Sequence, residues 1–259
     1  MSTVLAASSR AWLRGALRRA ARVEAPYRHW LLNNVLPTDL ARALTKLPLP
    51  PPLIADTQGK RETHNSLRIF ASPANQDRYP ACAELAEAFQ DEATVALLQD
   101  MTGASLEGGF LRIEYCLDTD GFWLEPHTDI GAKTLTLLVY LSDHEDAADW
   151  GTDVMDPDGH VSARAPGTFN DGLLFVPAAD TWHGFTRRPI RGVRRSAIVN
   201  YVKTEWRSRH ELSFPDQPVV AAAKPRLDPR DPDIASDVDQ YDFASRATFE
   251  DGRPVFRRL

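Results

Sequence analysis

Short apolar runs separated by Asp/Gly-rich turns fill the middle of the chain. The runs are rich in Val, Ile, Leu, Phe and Tyr, and they lie at 109–117, 135–142, 173–177 and 194–203. Runs of this length and composition are typical of β-strands, and the turn residues between them favour antiparallel neighbours. The pattern therefore predicts an antiparallel sandwich or a jelly roll.

The segment before these runs has a more helical pattern. Apolar residues at near-helical spacing over 80–101 predict one or two helices that end before Gly103. A short strand is predicted at 31–36, followed by a helix that begins near Pro37 and continues through Leu44. We expect the helices to pack on one outer face of the β-core, so the predicted fold class is mostly β with helices (α+β).

Three parts can be distinguished along the chain. Residues 1–24 are predicted to form a basic N-terminal arm or helix, because 8–23 contains five arginines and no acidic residue. A solvated helix or loose arm is favoured there, with a transit peptide or a helix on an anionic surface as alternatives. Residues 25–206 form the main domain, whose β-core spans about 108–203. Residues 207–259 are predicted to be a C-terminal extension that acts as a lid, wraps the domain or is disordered.

Composition limits the classes of partner. The net charge of −6 and the pI near 5.7 argue against a general nucleic-acid binder. Cys82 and Cys116 are the two cysteines, so no disulfide framework is implied and a cytoplasmic location is expected. No segment approaches 18 consecutive apolar residues, which argues against a membrane span. A homodimer is left open.

Four polar residues within or beside the apolar runs suggest a metal site. His127 and Asp129 are two positions apart, and they share a face if 124–129 is extended. His183 follows in a later segment, and Arg194 begins the last apolar run. Two histidines and one carboxylate are the ligand set of non-heme Fe(II) oxygenases, and a guanidinium suits a second carboxylate. Either histidine motif alone is weak evidence, whereas their order, spacing and strand context together favour an iron site.

With these residues the sequence resembles the 2-oxoglutarate- and Fe(II)-dependent oxygenases, in the branch similar to prolyl hydroxylases. The resemblance covers residues 108–203 well and 30–102 more loosely. It implies a double-stranded β-helix (jelly-roll, cupin-like) core. It also implies Fe(II) held by His127, Asp129 and His183, with 2-oxoglutarate as co-substrate and O₂ as oxidant.

The resemblance further implies a co-substrate pocket. The family arginine that binds the 5-carboxylate of 2-oxoglutarate falls on Arg194, and Ser196 completes the Arg-x-Ser pattern of relatives. A register error of one residue would exchange Arg194 for Arg195, which is the alternative. Tyr140 and Tyr115 match family tyrosines that reach the co-substrate, although strands also favour tyrosine for packing alone.

The implied reaction is hydroxylation of a C–H bond of a small molecule, with release of succinate and CO₂. Asp129 supports hydroxylation, because related halogenases carry a small residue there; desaturation stays open. The alternatives are a protein (prolyl-type) side-chain hydroxylase, an O₂-dependent metalloenzyme without a keto acid, and a non-catalytic jelly-roll ligand-binding protein. Lys133, near the start of the second run, is expected to be an exposed lysine at a strand end.

Overall fold

The computed structural model describes part of the chain and divides it into two units. The described ranges are 2–61, 68–129, 131–223, 248–250 and 253–255. The first unit spans Met1–Ala222 and the second Ala223–Leu259.

Short strands and short helices make up the first unit. In chain order the described strands are β1 (Ala21–Val23), β2 (His29–Leu32), β3 (Ile69–Phe70), β4 (Phe110–Asp118), β5 (Leu124–His127), β6 (Lys133–Tyr140), β7 (Asp153–Met155), β8 (Val161–Arg164), β9 (Gly172–Phe175), β10 (His183–Phe185) and β11 (Arg194–Val202). The described helices are α1 (Ser2–Arg18), α2 (Thr38–Thr45), α3 (Pro73–Arg78), α4 (Pro80–Gln90) and α5 (Glu92–Thr102).

Strands β4 to β11 form the core of two antiparallel sheets. The large sheet has the order β1-β2-β9-β6-β11-β4-β3, and the small sheet has the order β5-β10-β7-β8. Along the chain, the first of these strands pairs with the last, the second with the seventh, the third with the sixth and the fourth with the fifth. A long hairpin wound into two facing sheets gives this nested pairing. The predicted jelly-roll, or double-stranded β-helix, core is therefore confirmed.

The apolar runs that predicted strands are strands in the structure. The runs at 109–117, 135–142, 173–177 and 194–203 correspond to β4, β6, β9 and β11 within two residues at each end. The helical pattern over 80–101 corresponds to α4 and α5. The side chain of Asp91 caps α5 by accepting the N–H of Thr94, and Gly103 ends the helix in the left-handed region at φ 78°.

The helices lie against the outer face of the large sheet, as expected from the sequence. One apolar cluster joins α4 and α5 to the sheet through Leu85, Phe89, Leu98, Ile113 and Val199, all at most 2% exposed. Inward- and outward-pointing side chains alternate along each strand, so the opposite face of the large sheet points at the small sheet. The candidate site lies on that inner face.

The basic N-terminal segment packs on other helices. In α1, Leu13 and Leu17 are buried, and the helix contacts α4 and α5. Arg14 of α1 pairs with Asp91 at 2.6 Å. This amphipathic helix buries its apolar side and places arginines at the boundary with solvent.

The C-terminal part is described only in places. Residues 207–222 belong to the first unit, where Leu212 forms a β-bridge with Arg112 of β4. The second unit contains a two-stranded antiparallel pair, β12 (Thr248–Glu250) and β13 (Arg253–Val255). Residues 224–247 lie outside the described residues, so the lid and wrapping-tail alternatives stay predictions. Among the described helices, none is long and apolar enough to span a membrane.

Candidate metal and co-substrate site

The two predicted histidine ligands face each other across the small sheet. His127 is the last residue of β5 and His183 is the first residue of β10, and the two are directly paired in register. Their ring centroids are 4.4 Å apart, with the ring planes tilted by 54°. Residues separated by more than fifty positions in sequence are thus brought to one point by the antiparallel pairing of β5 with β10.

Backbone carbonyl groups fix the tautomer of both rings. Nδ1 of His127 lies 2.8 Å from the carbonyl oxygen of Glu125, and Nδ1 of His183 lies 2.9 Å from that of Thr181. A carbonyl oxygen only accepts hydrogen bonds, so each Nδ1 carries the hydrogen. Each Nε2 therefore presents a lone pair, which is the usual arrangement of a metal-binding histidine.

Asp129 lies in the loop just after β5 and is mostly buried, with 7% of its side chain exposed. Its Oδ1 accepts from Nζ of Lys133 at 2.5 Å and its Oδ2 accepts from Oγ1 of Thr136 at 2.7 Å. Burial by itself would raise the pKa of Asp129. The positive charge of Lys133, together with the hydrogen bonds from Lys133 and Thr136, outweighs it, and the net effect lowers the pKa. The carboxylate is therefore held ionised.

The neighbouring histidine is held neutral. Burial, assisted by the proximity of His127, lowers the pKa of His183 to about 4, against the opposing charge of Asp129. At neutral pH the site thus offers the unprotonated Nε2 of His183 and one carboxylate, beside the ring of His127. This is the donor set of the two-histidine, one-carboxylate iron site.

The three candidate ligand atoms do not all lie within 4.8 Å of one another. Among the described residues, one group meets that distance, namely Asp156, Asp158 and His160. This group sits on the turn after β7, where Oδ1 of Asp156 accepts the backbone N–H groups of both other members. Such bonds are ordinary turn chemistry. Enclosing one ion with the predicted triad requires a side-chain rotation in at least one of its members.

A cavity of about 440 Å³ runs between the two sheets from the triad. His127, Asp129 and His183 line it, together with Leu138, Ile198 and Arg194. A volume of this size suits a small organic ligand. The cavity therefore joins the candidate metal ligands to the predicted co-substrate arginine.

The structure distinguishes the two candidate arginines. Arg194 is buried on the inner face, where Nε donates to the carbonyl of Trp150 at 2.7 Å and Nη1 to Asp118 at 2.5 Å. Nη2 of Arg194 has no hydrogen-bond acceptor among the described residues. Arg195 lies on the outer face of β11, beside Tyr115. The two side chains thus lie on the faces that strand parity predicted, and the co-substrate role of Arg194 stays a prediction.

Ser196 and Tyr140 share the inner face with Arg194. They are register partners on β11 and β6. The hydroxyl of Tyr140 accepts the N–H of Thr152 at 3.1 Å. Oγ of Ser196 is fully buried, and no described residue provides it with a hydrogen-bond partner. Both side chains are buried on the inner face of the large sheet, which is the face that the predicted contact with the co-substrate requires.

The prediction for Tyr115 is wrong. Its side chain points to the outer face of β4, and its hydroxyl donates to the carbonyl of Leu44 at 2.9 Å, within the core beneath the helices. The sequence of β4 carried the signal, because Leu111, Ile113, Tyr115 and Leu117 alternate with the polar Arg112, Glu114 and Asp118 and therefore share the apolar face. Tyr115 cannot reach the cavity from there.

Lys133 was also misjudged. It was expected to be exposed at a strand end, but only 19% of its side chain is accessible and its ammonium group binds Asp129. Its position four residues after a candidate ligand was the available signal, although the loop between them hides the contact from pattern analysis. The structure therefore adds a cation to the site.

A charged network forms the floor of the cavity. Arg112 donates to Glu211, Asn200 and Glu114, and Arg68 binds both oxygens of Glu114 at 2.7 Å. Burial alone would raise the pKa of Glu114, but hydrogen bonds and charges from Arg68 and Arg112 hold it far below its usual range. These residues satisfy one another, so their first role is to keep the inner face ordered.

The chain is similar to solved structures of prolyl hydroxylases and other 2-oxoglutarate/Fe(II) oxygenases. A Pseudomonas putida prolyl-4-hydroxylase is 16% identical over 77% of this chain and 94% of its own, with a TM-score of 0.48. A Trichoplax adhaerens prolyl hydroxylase, solved with a hypoxia inducible factor peptide fragment, is 14% identical over 75% and 89%, with a TM-score of 0.49. HygX from Streptomyces hygroscopicus, with nickel and 2-oxoglutarate bound, is 16% identical over 68% and 82%, with a TM-score of 0.43.

Comparisons of sequence alone find no relatives. No family model matches the chain, and no curated protein matches it. At the identities and TM-scores above, the structural similarities assign no activity to this chain. The functional assignment has to rest on the geometry of the site itself.

Proposed function

We propose that this protein is a 2-oxoglutarate- and Fe(II)-dependent dioxygenase that hydroxylates a C–H bond of a small molecule. The observation that carries the proposal is the arrangement of His127, Asp129 and His183 at the cavity between the sheets. Nε2 of both imidazoles faces away from the backbone hydrogen bond, the carboxylate is ionised, and Arg194 lines the same cavity.

The residues present fit an iron ion. Two imidazole rings, each binding through Nε2, and one carboxylate would hold Fe(II) and leave coordination positions open for other ligands. Bound Fe(II) would supply the activation of O₂ that couples decarboxylation of the keto acid to substrate oxidation. The overall balance is R–H + O₂ + 2-oxoglutarate → R–OH + succinate + CO₂, with one oxygen atom of O₂ in each oxidised product.

The remaining inner residues would bind and orient the keto acid. Nη2 of Arg194, which has no acceptor within the described part of the chain, would donate to the distal carboxylate, and Ser196 provides a hydroxyl on the same face of β11. The apolar walls formed by Leu138 and Ile198 exclude water from the methylene carbons between the two ends. Thr136 and Lys133 hold Asp129 at the entrance to the cavity.

A second candidate function is hydroxylation of a protein side chain. A separate open groove of about 930 Å³ borders Thr128, Asp129 and Lys133, next to the candidate metal ligands. Much of its wall is formed by small residues, among them Gly103, Ala104, Gly108, Ala178 and Ala179. A groove of this kind could admit an extended peptide. The smaller cavity between the sheets supports the small-molecule proposal, and substrate screening has to include both classes.

The test is succinate formation from 2-oxoglutarate with Fe(II) and O₂. We expect His127→Ala and Asp129→Ala to lower the rate by more than about a thousandfold, or roughly 4 kcal/mol of activation free energy. Asp156→Ala is the matched control, because it removes a carboxylate from the other histidine-containing cluster. It should leave turnover unchanged.

Iron binding separates loss of the site from loss of the fold. Calorimetry should detect Fe(II) binding to the wild type and to Asp156→Ala but not to His127→Ala, while all three give the same far-UV circular dichroism. Turnover that persists after iron is removed would contradict the proposal. A wild-type protein that binds neither Fe(II) nor 2-oxoglutarate would instead support a non-catalytic role.

A further inference from the structure

Three polar side chains form one row across the inner face of the large sheet. Thr136 of β6, Asn200 of β11 and Arg112 of β4 are register partners, with Asn200 in the middle. All three residues are at most 3% exposed. A fully buried strand position usually carries an apolar side chain, so the asparagine at the centre of this row requires an explanation.

The hydrogen bonds along this row run in one direction. Nη1 of Arg112 lies 3.1 Å from Oδ1 of Asn200, and Nδ2 of Asn200 lies 2.9 Å from Oγ1 of Thr136. A guanidinium group can only donate, so the amide oxygen of Asn200 faces Arg112 and its NH₂ group donates to Thr136. The single hydrogen of the Thr136 hydroxyl is therefore left for Oδ2 of Asp129, at 2.7 Å. The row thus ends as a donor to a candidate metal ligand.

The far end of the row is anchored by charge. Nε of Arg112 donates to Glu211 at 2.6 Å, and its Nη2 donates to Glu114 at 2.9 Å. Because the planar guanidinium is held by two carboxylates, the direction of its Nη1 is fixed as well. The charged floor of the cavity therefore fixes the amide group of Asn200, and the amide in turn fixes the hydroxyl of Thr136.

The amide group is what this position requires. A hydroxyl hydrogen rotates to suit its surroundings, so the Thr136 hydroxyl by itself has no preferred direction. Asn200 offers an acceptor to Arg112 and a donor to Thr136. An aspartate would offer acceptors to both neighbours and would draw the Thr136 hydrogen away from Asp129. A leucine would satisfy neither neighbour.

We propose that Asn200 is a positioning residue for the candidate metal site: it fixes the Thr136 hydroxyl as a donor to Asp129 and so restrains the carboxylate that would bind Fe(II). The inference rests on the proposed function. Each carboxylate oxygen has about two acceptor sites, so the bond from Thr136 leaves Asp129 able to bind a metal. Loss of a group that orients a metal ligand typically weakens metal binding by about 10- to 100-fold.

Variants of Thr136 test the last bond of the row. Thr136→Val removes the hydroxyl, and Thr136→Ser keeps it. We expect the Kd for Fe(II), measured by anaerobic calorimetry, to rise by about 10- to 100-fold in Thr136→Val and to stay near the wild-type value in Thr136→Ser. The d–d absorption bands of the Co(II)-loaded protein should shift in Thr136→Val only.

Variants of Asn200 test the proposal itself. Asn200→Ala leaves the Thr136 hydroxyl in place without a fixed direction, and we expect the Kd for Fe(II) to rise about tenfold, with shifted Co(II) bands. Asn200→Leu fills the volume that alanine leaves open and should give the same result. An effect of the alanine cavity on folding is thereby separated from the effect of the missing amide.

The double variant Asn200→Ala/Thr136→Val tests whether Asn200 acts through Thr136. Once the hydroxyl is removed, the amide has no group left to orient. The double variant should therefore bind Fe(II) no more weakly than Thr136→Val does. Independent effects of the two residues would instead add.

Asn170→Ala is the matched control. Asn170 is also buried, and both polar atoms of its amide are bonded, to the backbone N–H and carbonyl of Leu36. Leu36 packs in the apolar cluster beneath the helices, away from the inner face. We expect this variant to unfold at a lower temperature and to bind Fe(II) like the wild type.

The possible results separate this inference from the proposed function. If the wild type binds Fe(II) and the two Asn200 variants bind it with the same Kd and the same Co(II) spectrum, the role of Asn200 is overturned and the proposed function stands. Additive losses in the double variant would also overturn that role. Failure of the wild type to bind Fe(II) would overturn both.

Discussion

The two faces of the large sheet are built from the same strands and serve different purposes. The outer face carries Ile113, Tyr115, Leu135, Leu137, Val199 and Tyr201, which pack beneath the helices. The inner face carries Arg112, Glu114, Thr136, Arg194, Ser196 and Asn200. Both sets are buried, yet one is apolar with satisfied hydroxyls, whereas the other is charged and its Ser196 hydroxyl has no partner among the described residues. Burial alone therefore does not identify a core; the hydrogen-bonding state of the buried groups separates packing from binding.

The charged floor of the inner face should give the largest effect on stability. Glu114→Ala leaves Arg112 and Arg68 without the carboxylate that pairs them. Breaking a buried ion pair by removing one partner typically costs about 3–5 kcal/mol. We expect a loss of unfolding free energy of that size in urea titrations at pH 7. Glu107→Ala, which changes a residue exposed at the surface, should have no measurable effect.

The carboxylate of Glu114 should also make the free energy of unfolding decrease at acid pH. The pKa of Glu114 is depressed in the folded state relative to its ordinary value of 4.5. Its contribution is therefore complete above that value and is lost as the pH falls below it towards the folded-state pKa. Urea unfolding between pH 6 and pH 3 should show a steep decline for the wild type. An equally steep decline in Glu114→Ala would show that other groups are responsible.

The two neighbouring arginines on β11 should differ in their effect on the KM for 2-oxoglutarate, because their side chains lie on opposite faces of the large sheet. Arg194→Ala removes the inner guanidinium, and loss of its charge-assisted bond, about 2 kcal/mol, should raise the KM for 2-oxoglutarate about 30-fold. Asp118 keeps Arg61 as a partner in this variant, so we expect the fold to persist. Arg195→Ala is the control on the outer face and should leave KM unchanged. Equal effects of the two variants would refute the assignment of faces.

The smallest expected effect belongs to a single outer-face hydroxyl. Tyr201→Phe deletes the bond to the carbonyl of Phe89 and should cost about 1 kcal/mol of unfolding free energy. The KM for 2-oxoglutarate should stay the same, because this hydroxyl points into the helical core. A changed KM with unchanged stability would indicate that the Tyr201 hydroxyl serves binding rather than packing, which would contradict the role assigned to the outer face.

Much of the fold could be predicted because its signals are local. The apolar runs of β4, β6, β9 and β11 and the turns between them are readable in windows of fewer than ten residues. Shorter strands such as β7 and β10 have three residues each and give no such signal. Their place depends on pairing with distant partners, which a local pattern does not encode.

The candidate site likewise contains residues that could be predicted from the sequence and residues that could not. His127, Asp129, His183 and Arg194 were predicted because side-chain chemistry and strand parity restrict them strongly. Tyr115 was misplaced although the alternation of β4 was readable, because strand parity puts Tyr115 on the same face as Leu111, Ile113 and Leu117 and opposite to Arg112 and Glu114. No local sequence pattern identifies residues outside the core strands as cavity residues, because their approach to the cavity depends on how loops fold over it.

The sequence by itself determined which chemical groups this protein carries and where its main strands lie along the chain. Residue types fix which groups can bind a metal or a carboxylate, and short-range patterning fixes where strands form. Only the tertiary structure decided which buried groups satisfy each other and which remain available. Lys133 became part of the candidate metal site, Tyr115 joined the packing beneath the helices, and Tyr27 came to lie with Tyr140 between the sheets. Those outcomes depend on contacts between residues far apart in the chain, whose geometry is set when the two sheets close on each other.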